Sequence, residues 1–157
     1  AKPVQRPKTA GAKEKEDGIR KSQKILLTWL VSDERIFGQI KDYISPEDFS
    51  DGIYRKAAGL LFQQYHDGEI NPARIMNYFT DEEEHREVAA LFHTRIEELT
   101  SEREKEKALM ETVLRIKNHS IETATRNLEP TDMAGLQRLM EAKKELQDLK
   151  KLHISIN

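Results

Sequence analysis

Glu82 and His85 stand three residues apart in a helical stretch, the spacing at which di-iron bundles aim a carboxylate and an imidazole inward from one helix. Such a centre needs a second copy on a second helix. The residues three before His66, His93, His119 and His153 are Gln63, Ala90, Ile116 and Lys150, so no second copy exists. Glu82 and His85 therefore read as part of a solvated first helical turn. With no cysteine in the chain, thiolate nucleophiles, thiolate zinc sites and disulfides are excluded. No serine sits in a glycine elbow or is followed three residues later by a lysine, and no glycine-rich phosphate loop occurs. His119, between Asn118 and Ser120, reads as a polar helix patch, and Trp29 as core. The expectation is a non-catalytic chain with no cofactor-binding or metal-ligating residues.

Composition narrows the class of partner. Charged residues make up 34% of the 157 residues and apolar ones 37%, against about 25% and 45–50% in ordinary globular domains, so much of the surface is solvated. The formal net charge of −2 provides no basic field for phosphate neutralisation. Direct nucleic-acid binding is not expected. Even the longest uninterrupted apolar stretches are short, as in Ile25-Leu26-Leu27, which suits neither a membrane span nor a signal peptide. A cytoplasmic protein is expected. The chain opens at Ala1 without an initiating Met, and an excised piece of a larger protein is expected.

The elements follow from periodicity and punctuation. Residues 1–17 carry five Lys/Arg and Val4 as their one large aliphatic residue, a composition that predicts a flexible linker. From Gly18 onward apolar residues recur at spacings of three and four, which predicts helix after helix. A helix over about 18–31 would line up Ile19, Ile25, Leu26, Trp29 and Leu30, and Ser32 would cap the next. Ser45-Pro46-Glu47-Asp48 combines an N-cap serine, a proline at the first helical position and a carboxylate three residues on. Gly68 is placed to stop a helix carrying Ala57, Leu60 and Leu61. Asn71-Pro72 and Thr80-Asp81-Glu82-Glu83 open two more.

Between Thr94 and Asn127 glycine, proline and aromatic residues vanish. From Arg95 to Arg126 seven Lys/Arg balance seven Glu, as on a long, thinly covered helix with Ser101 and Glu104 as a restart box. Pro130 breaks it, and a last helix to about Leu152 places Leu136, Leu139, Leu146 and Leu149 along one seam, with Met133, Met140 and Leu152 beside it. The predicted fold is all-α, with three parts. These are a linker over 1–17, a compact multi-helix subdomain over 18–94, and over 95–157 a long helix leading into an antiparallel helical hairpin.

Gln23-Lys24-Ile25-Leu26-Leu27-Thr28-Trp29-Leu30, then Ser45-Pro46-Glu47-Asp48-Phe49, then Tyr54-Arg55-Lys56-Ala57-Ala58-Gly59-Leu60-Leu61-Phe62, then Tyr65-His66-Asp67-Gly68-Glu69-Ile70 form an ordered set within residues 23–79. That order resembles the small helical domain shared by the C-terminus of bacterial DNA primase and the N-terminus of the replicative DNA helicase. Asn71-Pro72 stands where the helicase version has a Val-Asp pair, and the charged second half carries only the hairpin pattern. Both features favour the primase branch.

The resemblance implies a helicase-binding domain whose terminal hairpin docks on the N-terminal domains of the helicase hexamer. It also implies that the compact subdomain modulates the helicase, and that catalysis, a DNA-directed RNA polymerase activity, lies in domains of the parent protein absent here. The partner-binding residues expected on this basis are Leu149, Leu152, Ile154 and Ile156, flanked by Lys144, Gln147, Lys150 and Lys151, in a chain that is monomeric alone. The alternatives are the helicase's own N-terminal domain, a helical-bundle metal protein around Glu82 and His85, and a self-associating coiled coil.

Overall fold

A computed structural model describes residues 8–93 and 101–156. The described residues are all-helical: α1 (Lys8–Ser32), α2 (Glu34–Ile40), a 3-10 turn (Pro46–Asp48), α3 (Ile53–Asp67), α4 (Pro72–Tyr78), α5 (Glu82–Phe92), α6 (Glu102–Asn127) and α7 (Met133–Lys151). Residues 94–100, the expected start of the long helix, lie outside the described residues.

Local chemistry explains most boundaries. Asp33, Asn71, Asp81, Ser101 and Asp132 each accept a hydrogen bond from a backbone N–H in the first turn that follows, satisfying donors that the helix itself leaves free. Ser45 and Asp48 close the expected box reciprocally. Gly68 takes φ +82°, a left-handed stop that a side chain would strain. Ser32 does not cap α2: it ends α1, its hydroxyl donating to the Thr28 carbonyl at 2.9 Å, and Asp33 caps instead.

The expected linker over 1–17 is corrected over its second half, because α1 already begins at Lys8. Ala10, Ala12, Lys13, Glu14 and Lys15 are strong helix formers. Glu16 pairs with Arg20 one turn on, and Lys15 reaches Glu122 on α6 at 2.9 Å.

One main core joins the two expected parts. Leu26, Leu27, Trp29 and Leu30 of α1, Ile36 and Ile40 of α2, Ala57, Ala58, Leu61 and Phe62 of α3, and Val88, Leu91 and Phe92 of α5 belong to it. So do Leu109, Val113 and Ile116 of α6, together with Leu149 and Ile154. The expected boundary at 94/95 therefore does not divide the core, since α6 packs along α1 and supplies one wall. Phe37 stacks on Tyr65 at 4.1 Å and meets Phe62 edge-on at 5.0 Å, while the Tyr65 hydroxyl donates to the Leu30 carbonyl. Burial pushes that hydroxyl's pKa up to about 12, as expected for a phenol used as a fixed donor. A smaller cluster of Ile121, Leu139 and Leu146 holds α7 on the far end of α6.

Candidate docking surface and the contacts that position it

The second half of the chain is positioned by α6, whose sequence serves two neighbours. Leu109, Thr112, Val113 and Ile116 face the main core. Lys117 lies four residues from both Val113 and Ile121, so the helical period places its stem on that apolar stripe. It is 2% exposed. Its ammonium donates to Asp48 Oδ2 at 3.2 Å and to Glu145 Oε1 at 3.0 Å. Asp48 in turn accepts from the Ser120 hydroxyl at 2.7 Å and the Ser45 backbone N–H at 2.9 Å. One buried cation thus joins the 3-10 turn, α6 and α7, where a crevice of about 440 Å³ runs between them. Burying charge is costly unless it is paired and hydrogen-bonded, and here both conditions are met.

This cluster was not anticipated. Asp48 was expected only as a capping residue, and Lys117 only as one charge in a balanced helix. The available signal was the interruption of an apolar stripe by a lysine at i+4 from Val113 and i−4 from Ile121.

With α7 fixed in this way, its seam divides differently from the expectation. Leu139, Leu146 and Leu149 turn inward. Leu136 does not: it is 39% exposed, beside Met133 at 70% and Met140 at 63%. These three line a shallow trough of about 450 Å³ with Gln137, Glu141 and Lys144. At helical spacing Met133, Gln137, Met140, Lys144, Gln147 and Lys151 fall on one outward strip, apolar at its start and polar at its end.

The expected partner-binding residues separate accordingly. Lys144, Gln147, Lys150 and Lys151 are exposed. Leu149 is fully buried and Ile154 is 2% exposed, so both are corrected from docking residues to core residues. Leu152 and Ile156 are half-buried. The physical reason is that the chain beyond α7 does not fray but lies as a strap across α2 and α6. Gln39 brackets Ser155, its amide donating to the Ser155 carbonyl and its Oε1 accepting the Ser155 N–H, both at 2.7 Å. The Ile156 N–H donates to Glu106 at 2.8 Å.

Ordering residues 152–156 costs roughly 5–10 kcal/mol at 1–2 per residue. Burying Ile154 and part of Leu152 returns roughly 3–4 kcal/mol, and the three hydrogen bonds about 1 each. The strap is therefore near balance.

Two histidines from the sequence search have defined surroundings. The His85 Nδ1 lies 2.9 Å from the Met76 carbonyl, which can only accept, so this nitrogen carries the proton and ties α5 to α4. His119 is half-buried with an unpartnered, buried Nδ1. Burial holds its pKa below the usual 6.5, against the opposing charge of Glu122. A lowered imidazole pKa means the unfolded chain takes up the proton before the folded one does, so stability falls as pH drops below 6.5 toward the folded-state value. The expected outcome is that His119→Gln flattens the melting-temperature profile between about pH 7 and pH 5 relative to the native chain. An unchanged slope would remove His119 from the acid response.

Among the described residues no group of three or more His, Cys, Asp or Glu is placed to hold a metal ion, and no helix is long and apolar enough to cross a membrane. No protein-family model, curated protein or solved structure matches the chain.

Proposed function

We propose that this chain is the helicase-docking domain of a bacterial DNA primase, recruiting the primer-synthesising RNA polymerase to the replication fork and modulating the helicase. On this reading it contributes recognition and no catalysis, and it uses no cofactor. The observation that carries the proposal is the outward strip of α7, where two methionines and a leucine stand exposed on a helix whose opposite face is fixed by the core. Exposed apolar surface of this kind marks interaction sites, and methionine adapts to a partner's grooves.

The ordered motifs of residues 23–79 give the strip its partner, because their resemblance is to the primase–helicase pair. α7 carries five Lys/Arg against three Asp/Glu, and one of those acids, Glu145, is spent on Lys117. The strip therefore ends on two exposed lysines, Lys144 and Lys151, which suits a helicase groove with acidic residues at one end. Docking is helix-in-groove, with Met133, Leu136 and Met140 as anchors and Lys144, Gln147 and Lys151 setting register.

Deleting residues 95–157 would not test this cleanly, since it strips Leu109, Val113, Ile116, Leu149 and Ile154 from the core. Co-elution of the intact chain with the replicative helicase of the same organism is the suitable experiment. A complex is expected on size-exclusion chromatography, with the chain alone running as a monomer. Separate elution at micromolar concentrations of both proteins would contradict the proposal.

A further inference from the structure

Among the described residues, three glutamine side chains each hold one residue outside their own helix by two hydrogen bonds. Gln23 brackets Ser50, accepting its N–H at 2.8 Å and donating to its hydroxyl at 2.8 Å. Gln64 brackets Asn71, accepting its N–H at 2.8 Å and donating to its carbonyl at 3.0 Å. Gln39 brackets Ser155 in the same two-bond manner. Gln64 and Gln39, each meeting the N–H and the C=O of one residue, imitate a neighbouring strand, and all three glutamines pin a stretch of non-helical backbone onto a helix.

The three clips differ in what stands around them. Gln23 is completely buried. Gln64 closes a short loop, from the end of α3 to the start of α4. The Gln39 clip is only half-covered and spans 116 residues of sequence, and the segment it holds places one side chain, Ile154, in the core. Around that side chain His153 is open to solvent, its imidazole 3.6 Å from Glu106, and Leu152 and Ile156 are half-buried. The near balance between ordering this strap and the contacts it gains sets it apart from α3, α5 and α6, each of which buries several apolar residues together. Segments of this kind open in local steps that leave the global fold intact.

We propose that residues 152–156 are a latch across α2 and α6 that opens independently of the helical core, and that its closed state withholds Ile154 and Leu152 from a partner of α7. The closed latch ties the end of α7 to α2 through Gln39 and to α6 through Glu106. Its opening frees two aliphatic side chains just beyond the basic end of the outward strip, which enlarges the surface a partner helix can cover. A partner that binds the open form better binds the native chain with an affinity reduced by the fraction of time the latch is open. This last step rests on the docking reading of α7; the latch itself does not.

Amide hydrogen exchange on the intact chain, followed residue by residue by NMR, separates the two. In the native chain the Ser155 and Ile156 amides are expected to be protected relative to an unstructured peptide, yet to exchange at least 100-fold faster than the buried Leu61 amide of α3. Gln39→Ala should speed them at least tenfold and leave Leu61 unchanged. Exchange of the strap in step with Leu61, or at the unstructured rate in the native chain, would overturn the latch.

Because the chain has no cysteine, Ile154→Cys and Leu61→Cys give an independent check by thiol labelling. The thiol of Ile154→Cys should react at least 100-fold faster than that of Leu61→Cys, and equal rates would count against a separate opening. With the replicative helicase as the probe, Gln39→Ala is expected to bind at least threefold tighter than the native chain. If neither binds, the docking reading falls while the exchange result stands. If both bind equally, the latch withholds nothing.

Discussion

Replacing Lys117 by methionine is expected to lower the melting temperature by about 10 °C. Methionine keeps most of the stem that packs between Val113 and Ile121 and removes the ammonium, so the loss reports the charge. Asp48 would be left with the Ser120 hydroxyl and the Ser45 N–H as its neutral donors, and with no cation in a site where its own side chain is 9% exposed. Breaking one side of a buried pair costs about 3–5 kcal/mol because the remaining charge is stranded, and a domain of this size loses about 2–4 °C per kcal/mol.

Two companions sharpen the reading. Glu145→Gln should cost no more than about 1 kcal/mol, since Glu145 is 43% exposed and water replaces much of what the ammonium supplied. Adding Asp48→Asn to Lys117→Met should recover at least about 1 kcal/mol, because the stranded charge is gone. A loss under about 1 kcal/mol for Lys117→Met in urea denaturation would mean that the cluster is solvated and does not clamp α7.

Leu149→Ala is expected to destabilise the chain by about 2–5 kcal/mol, the cost of opening a cavity in a packed core, because Leu149 is fully buried. Met140→Ala, about two and a half turns earlier on the same helix, should change stability by no more than about 0.5 kcal/mol, as for other exposed positions. The contrast discriminates between two arrangements of α7. If Leu149 were a docking anchor and Leu136 a seam residue, Leu149→Ala would leave the melting curve in place and Leu136→Ala would move it. Denaturant unfolding of the three single variants decides between them.

The helix boundaries were legible because capping is local. Asp48, Gly68, Asn71 and Ser101 act within a few residues of their own position, and their types announce the role. The all-α class was legible from the three-and-four spacing for the same reason. What could not be read was which of two similar faces turns inward. Leu136 and Leu149 are the same residue on one helix, and six Leu/Met in α7 make a stripe wider than a single neighbour can cover. The choice falls to partners far away in sequence: Lys117 grips Glu145, and Gln39 holds Ser155 across 116 residues.

Over residues 8–17 the expected linker failed similarly, while residues 1–7 lie outside the described residues. Residues 8–17 have composition suited to solvent, but they continue a helix already nucleated by the core, and Lys15 finds Glu122 across 107 residues. A nucleated helix extends through good helix formers at little further cost. The candidate docking residues were therefore half legible. The polar positions Lys144, Gln147, Lys150 and Lys151 are exposed, whereas the apolar anchors move from the strap to Met133, Leu136 and Met140.

The most direct measurement is a calorimetric titration of the intact chain into the replicative helicase, repeated with Met133→Glu/Met140→Glu, after circular dichroism shows that the variant melts as the native chain does. The docking account predicts saturable binding for the native chain and at least a 100-fold weaker interaction for the variant, since two carboxylates would be driven into an apolar groove. Native-like affinity in a correctly folded variant, or no binding by the native chain, would contradict it.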